Sequence, residues 1–123
     1  MSSLSAARCV VTGGLGFIGS NLVHALVHAG ASVAVVDALV DGHGGTEHNI
    51  AGLDVDVLRR QIGDPAVRDV LDGADVVFNL AGQVSHIDSM LDPLRDLQLN
   101  TLSHAAFLEH LRVVNPGALQ VRR

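Results

Sequence analysis

Thr12-Gly13-Gly14-Leu15-Gly16-Phe17-Ile18-Gly19 joins a short apolar run, Cys9-Val10-Val11, to a segment of helical apolar spacing, Ile18 to Ala29. Gly13, Gly16 and Gly19 stand at G-x-x-G-x-x-G spacing, and Gly14 adds a flexible position. Strand, glycine turn and helix in this order are what a dinucleotide phosphate site requires. A Cβ at the point of closest approach would hold a diphosphate off the turn. A helix beginning near Phe17 leaves its first N–H groups unpaired, at Phe17, Ile18 and Gly19, where they can face an anion. The helix dipole adds roughly half a positive charge at that end. Gly19 is expected to let the helix pack closely on its strand. The competing reading is a glycine-rich turn with no ligand.

An acid follows at the right distance. Ala31-Ser32-Val33-Ala34-Val35-Val36 reads as a buried parallel strand, and Asp37 ends it. A carboxylate about 20 residues past the glycines can accept hydrogen bonds from the adenine ribose hydroxyls. It would repel a 2′-phosphate, and no Arg or Lys stands nearby in the chain to favour one. NAD is therefore preferred over NADP. The alternative is a strand-ending Asp in a solvated turn.

Other reactive side chains are less informative. His24 and His28 have the i, i+4 spacing of a chelating pair, but on the polar face of the predicted helix they read as solvated. His43 and His48 lie among acids in the polar stretch 41–49, with no ligand spacing of a metal site. The eight basic residues are all Arg, and the chain contains no Tyr and no Lys.

The elements that must carry these residues alternate. Strand 1 is expected over about 7–12 and helix 1 over about 17–29, with Ile18, Leu22, Ala25, Leu26 and Ala29 on the core face. Gly30 ends the helix. Strand 2 spans about 32–36, followed by a long loop with a helical turn near 46–51. Strand 3 is placed at about 55–62, then a short helix to Leu71 with Asp64 as N-cap and Pro65 at its first position. Strand 4 is 75–80. A last helix over about 93–113 carries Leu94, Leu97, Ala105, Leu108 and Leu111 as its stripe, and a fifth strand starts near Ala118. Alternating strands and helices imply an α/β fold with a parallel sheet covered on both faces.

Composition sets the bounds. At 123 residues and 48% hydrophobic, the chain makes one domain with enough apolar content for a core. No apolar run reaches the ~18 residues of a membrane span, and no signal segment opens the chain. A formal charge of −5 argues against nucleic acid. The single Cys9 cannot form an internal disulfide, which fits a reducing cytoplasm.

The stretch Thr12 to Ser20 resembles the T-G-G-x-G-F-I-G-S signature of the extended short-chain dehydrogenase/reductase superfamily, in its sugar-nucleotide epimerase/dehydratase branch. Asp37 falls at that family's ribose-binding acid. Gly63-Asp64 is similar to the G-D after its third strand, where the Asp is expected near the adenine. Asn79-Leu80-Ala81-Gly82-Gln83 is similar to the run after strand 4 that lines the cofactor's central ribose and the substrate. Leu99-Asn100-Thr101 falls at the family's helix Asn, although Ser103-His104 stands where Gly-Thr is common. The stretch Gly42 to Gly52 and Gln83-Val84-Ser85-His86 look most like epimerases of CDP- or dTDP-linked deoxysugars.

The resemblance implies a Rossmann-type doubly wound parallel sheet of about four to five strands, incomplete relative to the family. It implies cofactor contacts at Gly13, Gly16, Phe17, Ile18, Gly19, Asp37, Asp64, Leu80, Ala81, Gly82, Gln83 and Asn100, and substrate contacts at Ser85 and His86. Members of this family use a Tyr-x-x-x-Lys pair, in which the Lys charge lowers the Tyr pKa for proton abstraction. Neither residue type occurs here, and His86 is not placed to replace the Tyr. The expectation is the NAD-binding part of a nucleotide-sugar epimerase or dehydratase, truncated, not catalytic by itself, and forming a homodimer or self-associating through the last helix, where Leu97, Leu102 and Leu108 are exposed. The alternatives are a stand-alone NAD-binding sensor or interaction module, and a Rossmann-type enzyme of another class.

Overall fold

The computed structural model describes residues 5–38, 47–81, 92–94 and 101–122. The elements are β1 (Arg8–Thr12), α1 (Phe17–His28), β2 (Ser32–Val36), a 3-10 turn (Glu47–Ile50), β3 (Asp56–Leu58), α2 (Val67–Leu71), β4 (Val76–Asn79), α3 (Ser103–Val114) and β5 (Leu119–Arg122). The five strands form one parallel sheet in the order β3-β2-β1-β4-β5. This is the expected doubly wound α/β arrangement. The order reverses between β1 and β4, and ligands of such sheets bind at the carboxyl ends beside that switch point.

Successive side chains of a strand point to opposite faces, so a sheet covered twice is apolar at every position. Cys9 and Val11 of β1 join Val33 and Val35 of β2 and Val23 and Leu26 of α1 in one core. Val10, Val36 and Val77 join Val67 and Leu71 of α2 and Phe107 and Leu111 of α3 in the other. The continuous runs of β1, β2 and β4 follow from this double burial.

Two helix faces differ from the expected ones. The buried residues of α1 are Gly19, Ser20, Val23 and Leu26, while Ile18 is 54% exposed and Ala25 also faces out. A Cβ on Gly19 would collide with the Gly13 carbonyl oxygen. That close approach turns the Gly19 edge of α1 to the sheet, in place of the Ile18 edge. In α3 the fully buried residue is Phe107, four before Leu111, and Ala105 is exposed. Leu94, expected on the same stripe, is 75% exposed. Leu108 is only partly buried against the second core.

Strand β3 is shorter than expected, because only Asp56 to Leu58 find partners on β2. Helix α2 starts at Val67 with Ala66 as its N-cap and no side-chain cap. Asp64 is therefore not the N-cap. Its carboxylate accepts from Ala66 N at 2.9 Å and its carbonyl from Val67 N at 3.0 Å, which closes the turn leading into the helix. No helix among the described residues is long and apolar enough to cross a membrane.

Candidate nucleotide site

The site is built at the ends of β1, β2 and β4. Thr12 closes β1, level with Val36 of β2 and Asn79 of β4. The next residue, Gly13, turns with φ +71°, and a Cβ there would stand 3.1 Å from Ala81 Cα and N. Only glycine meets both demands, a left-handed backbone and a neighbouring main chain in contact. Gly13 N donates to Val36 O at 2.8 Å, which brings the turn over the end of β2.

Gly16 is different. It is the N-cap of α1 in ordinary extended geometry (φ −76°, ψ 178°). The nearest atom to a Cβ at Gly16 would be Gly13 O at 3.5 Å, an ordinary contact. Among the described residues nothing else comes within 4 Å of that position. The space lies at the start of α1, where no side chain caps the helix and no acid occupies the first turn. Ser20 N is held by Gly16 O at 2.9 Å. The preceding N–H groups, of Phe17, Ile18 and Gly19, lie at the open end of the helix. The Phe17 and Ile18 side chains stand exposed beside them.

The Leu15 peptide between these glycines is held from both sides. Asp37 Oδ2 accepts from Leu15 N at 3.1 Å, and Asn49 Nδ2 donates to Leu15 O at 2.7 Å. The Asn49 carbonyl in turn lies 2.9 Å from His24 Nε2. His24 is thus engaged with the 3-10 turn, contrary to the expected solvated pair, whereas His28 is exposed. Among the described residues no group of three His, Cys, Asp or Glu side chains could hold a metal ion. Asn49 lies 34 positions from Leu15, and no local spacing in the sequence points to it.

Asp37 stands where β2 ends, and its own N–H donates to Leu58 O at 3.1 Å. Arg59, the residue after Leu58, is therefore brought to the strand end next to Asp37. The main-chain pairing of Asp37 with Leu58 is hidden by the sequence separation of the two residues.

At the β4 side, Thr12 Oγ1 accepts from Leu80 N at 3.0 Å and Ala81 N at 3.1 Å and donates to Asn79 Oδ1 at 2.7 Å. This hydroxyl fixes the first residues after β4 against the glycine turn. Asp64 lies in the connection from β3 to α2, on the carboxyl side of the sheet. Its side chain is engaged at the entrance to α2, and the adjoining Gly63 packs on Ser103 and Ala106 of α3. The Gly63 carbonyl accepts from His110 Nε2 at 2.9 Å, while His110 Nδ1 accepts from Arg68 Nε at 2.8 Å. The candidate residues Gly82, Gln83, Ser85, His86 and Asn100 lie outside the described residues, as do Leu97 and His43.

Cys9 is buried near the start of β1, at the other end of the strand from this site. Burial, and secondarily the negative charge of Asp75, push its thiol above the ordinary value.

A parallel sheet with this strand order, a glycine turn at its switch point and an acid ending β2 define a Rossmann-type nucleotide-binding domain. The model of the NAD dependent epimerase/dehydratase family matches residues 9–121. The chain belongs to that family. It is 36% identical over 112 residues to dTDP-glucose 4,6-dehydratase of Mycobacterium tuberculosis, covering 85% of this chain and 33% of the relative. It is 30% identical over 103 residues to UDP-glucuronic acid decarboxylase 1 of Danio rerio, covering 83% of this chain and 24% of the relative. Among solved structures, Bordetella bronchiseptica WbmF in complex with NAD+ superposes with a TM-score of 0.82 at 35% identity, covering 93% of this chain and 34% of that one. The chain thus spans about a quarter to a third of the length of such relatives.

Proposed function

We propose that this chain binds NAD as the nucleotide-binding part of a sugar-nucleotide epimerase or dehydratase. The observation that carries the reading is the unfilled space over Gly16 at the uncapped start of α1. The diphosphate lies there on the N–H groups of Phe17, Ile18 and Gly19, the arrangement helix N-termini offer to anions. Asp37 accepts from the adenine ribose hydroxyls and disfavours a 2′-phosphate, so NAD binds better than NADP. Leu80 and Ala81 border the central ribose, and Gly82, Gln83 and Asn100 complete the cofactor contacts. Ser85 and His86 face a nucleotide sugar. Asp64 lies near the adenine.

When bound, NAD supplies a hydride acceptor for a sugar carbon. The residues of this chain hold it and orient it. With no Tyr and no Lys among its residues, the chain has no phenolate base to take the hydroxyl proton, so it does not turn over a nucleotide sugar alone. Self-association through α3 belongs to the same reading, since Leu102 at its N-cap is 57% exposed.

The test is the thermal midpoint of the chain with each cofactor. NAD raises it more than NADP at equal concentration, because a ligand selective for the folded state stabilises it by mass action. Equal shifts would remove the role given to Asp37, and no shift with either would remove the binding reading.

A further inference from the structure

The end of β4 carries a hydrogen-bond chain that reaches the last helix. Leu80 N and Ala81 N both donate to Thr12 Oγ1, Thr12 Oγ1 lies 2.7 Å from Asn79 Oδ1, and Asn79 Nδ2 lies 3.2 Å from His104 Nδ1. Thr12 is fully buried and Asn79 nearly so. Leu80 N also reaches the Thr12 carbonyl at 3.3 Å, and with both amides directed at Thr12 Oγ1, donor and acceptor counting gives each link a direction. A hydroxyl oxygen has two lone pairs, and the two backbone N–H groups use them. Its own proton must therefore go outward, and the Asn79 atom it meets must be the carbonyl oxygen. The Asn79 amide nitrogen then faces His104 as a donor. Nδ1 of His104 must accept, so the ring is neutral and carries its proton on Nε2.

We propose that His104 is a positioning residue of the nucleotide site, acting through Asn79 and Thr12. By accepting from Asn79 Nδ2 it aims Asn79 Oδ1 at Thr12, which aims the Thr12 lone pairs at Leu80 and Ala81. Ala81 is the residue packed on Gly13, where a Cβ would stand 3.1 Å from its main chain. The height of the β4 loop over the phosphate turn therefore depends on an imidazole on α3. Position 104 is where the sequence departs from the Gly-Thr expected from the family resemblance.

The proposal rests on the NAD-binding reading for its ligand but can be read without it. In His104→Asn, an amide oxygen at the δ position replaces Nδ1 as acceptor. In His104→Leu, a side chain of similar reach offers none and leaves the buried Asn79 N–H unpaired. Three readouts are taken on the full chain. Long-range proton–nitrogen NMR of the wild type reports the ring of His104, assigned by its loss in His104→Asn. The expected form is neutral with the proton on Nε2, and a proton on Nδ1 would overturn the network. The amide resonances of Leu80 and Ala81 without cofactor shift in His104→Leu and stay near wild type in His104→Asn; no difference between the variants would overturn the positioning role. NAD affinity falls about tenfold in His104→Leu, the scale of one buried hydrogen bond, and is rescued in His104→Asn. Equal affinity in both variants would overturn the link to the site. Failure of the wild type to bind NAD would refute the binding reading, while the two NMR readouts still decide the network.

Discussion

Gly16→Ala separates a ligand's need for space from the protein's own. Gly16 sits at φ −76° and ψ 178°, a conformation open to alanine, and among the described residues the new Cβ would meet only Gly13 O, at 3.5 Å. Removing a glycine from the unfolded chain stabilises by about 0.4–1 kcal/mol where the native angles are compatible. Alanine is the poorer N-cap, which costs about 0.5 kcal/mol or slightly more. The two effects offset, so the stability of the free chain should change by less than about 0.5 kcal/mol. A diphosphate seated on the Phe17, Ile18 and Gly19 N–H groups would be lifted by the methyl. Losing one or two hydrogen bonds to a charged group at about 1.5 kcal/mol each weakens NAD by about 10- to 100-fold. Gly16→Val, with a branched side chain in the same space, should abolish binding. The assay pairs a urea denaturation curve of the free variant with a calorimetric NAD titration. A folded Gly16→Ala that binds NAD as tightly as the wild type would refute the assignment of that space to a phosphate. A variant that fails to fold would refute the claim that the space is empty of protein.

Three further outcomes follow from the same geometry. Asp37→Ala should weaken NAD and narrow its advantage over NADP, and competition binding with both cofactors checks this; an unchanged ratio would exclude Asp37 as the discriminator. Thr12→Val removes one hydroxyl and leaves Ala81 N and Asn79 Oδ1 without that partner, while Leu80 N keeps its bond to the Thr12 carbonyl at 3.3 Å. One buried unsatisfied group costs about 1–3 kcal/mol, so the denaturation midpoint should fall by an amount equivalent to at least about 2 kcal/mol, and a loss well below that would mean the groups find water. Cys9 has its thiol pushed up by burial and by Asp75, so little thiolate forms near neutrality. A disulfide reagent at pH 7 should label it only in denaturant, and rapid labelling of the folded chain would contradict its buried position.

The parts of the site legible in the sequence are those in which one residue type answers a local demand. Gly13 is needed for a left-handed turn against Ala81, Gly19 for contact with Gly13, and Asp37 ends a β-branched run. The parallel sheet followed from the alternation of elements, whereas its strand order was not read from the spacing. The helix faces were less legible. Periodicity in α1 favours Ile18, but contact between Gly19 and Gly13 outweighs an apolar side chain left outside. In α3 the stripe extrapolated from Leu94 misses the buried Phe107. Least legible were the polar braces. Asn49 on Leu15, His104 on Asn79 and His110 on Gly63 each span 25 or more positions. A hydrogen bond at such separation leaves no pattern in a single chain. The same holds for Arg59, which register alone brings to the strand end beside Asp37.

The central claim is that NAD lies across the ends of β1, β2 and β4 with its diphosphate on the start of α1. Backbone amide NMR of the chain titrated with NAD tests it most directly. Saturating shifts should concentrate at Gly16 to Gly19, at Leu15 and Asp37, and at Leu80 and Ala81, with the β5 edge unmoved. Saturating shifts that cluster elsewhere, or none at millimolar NAD, would contradict it.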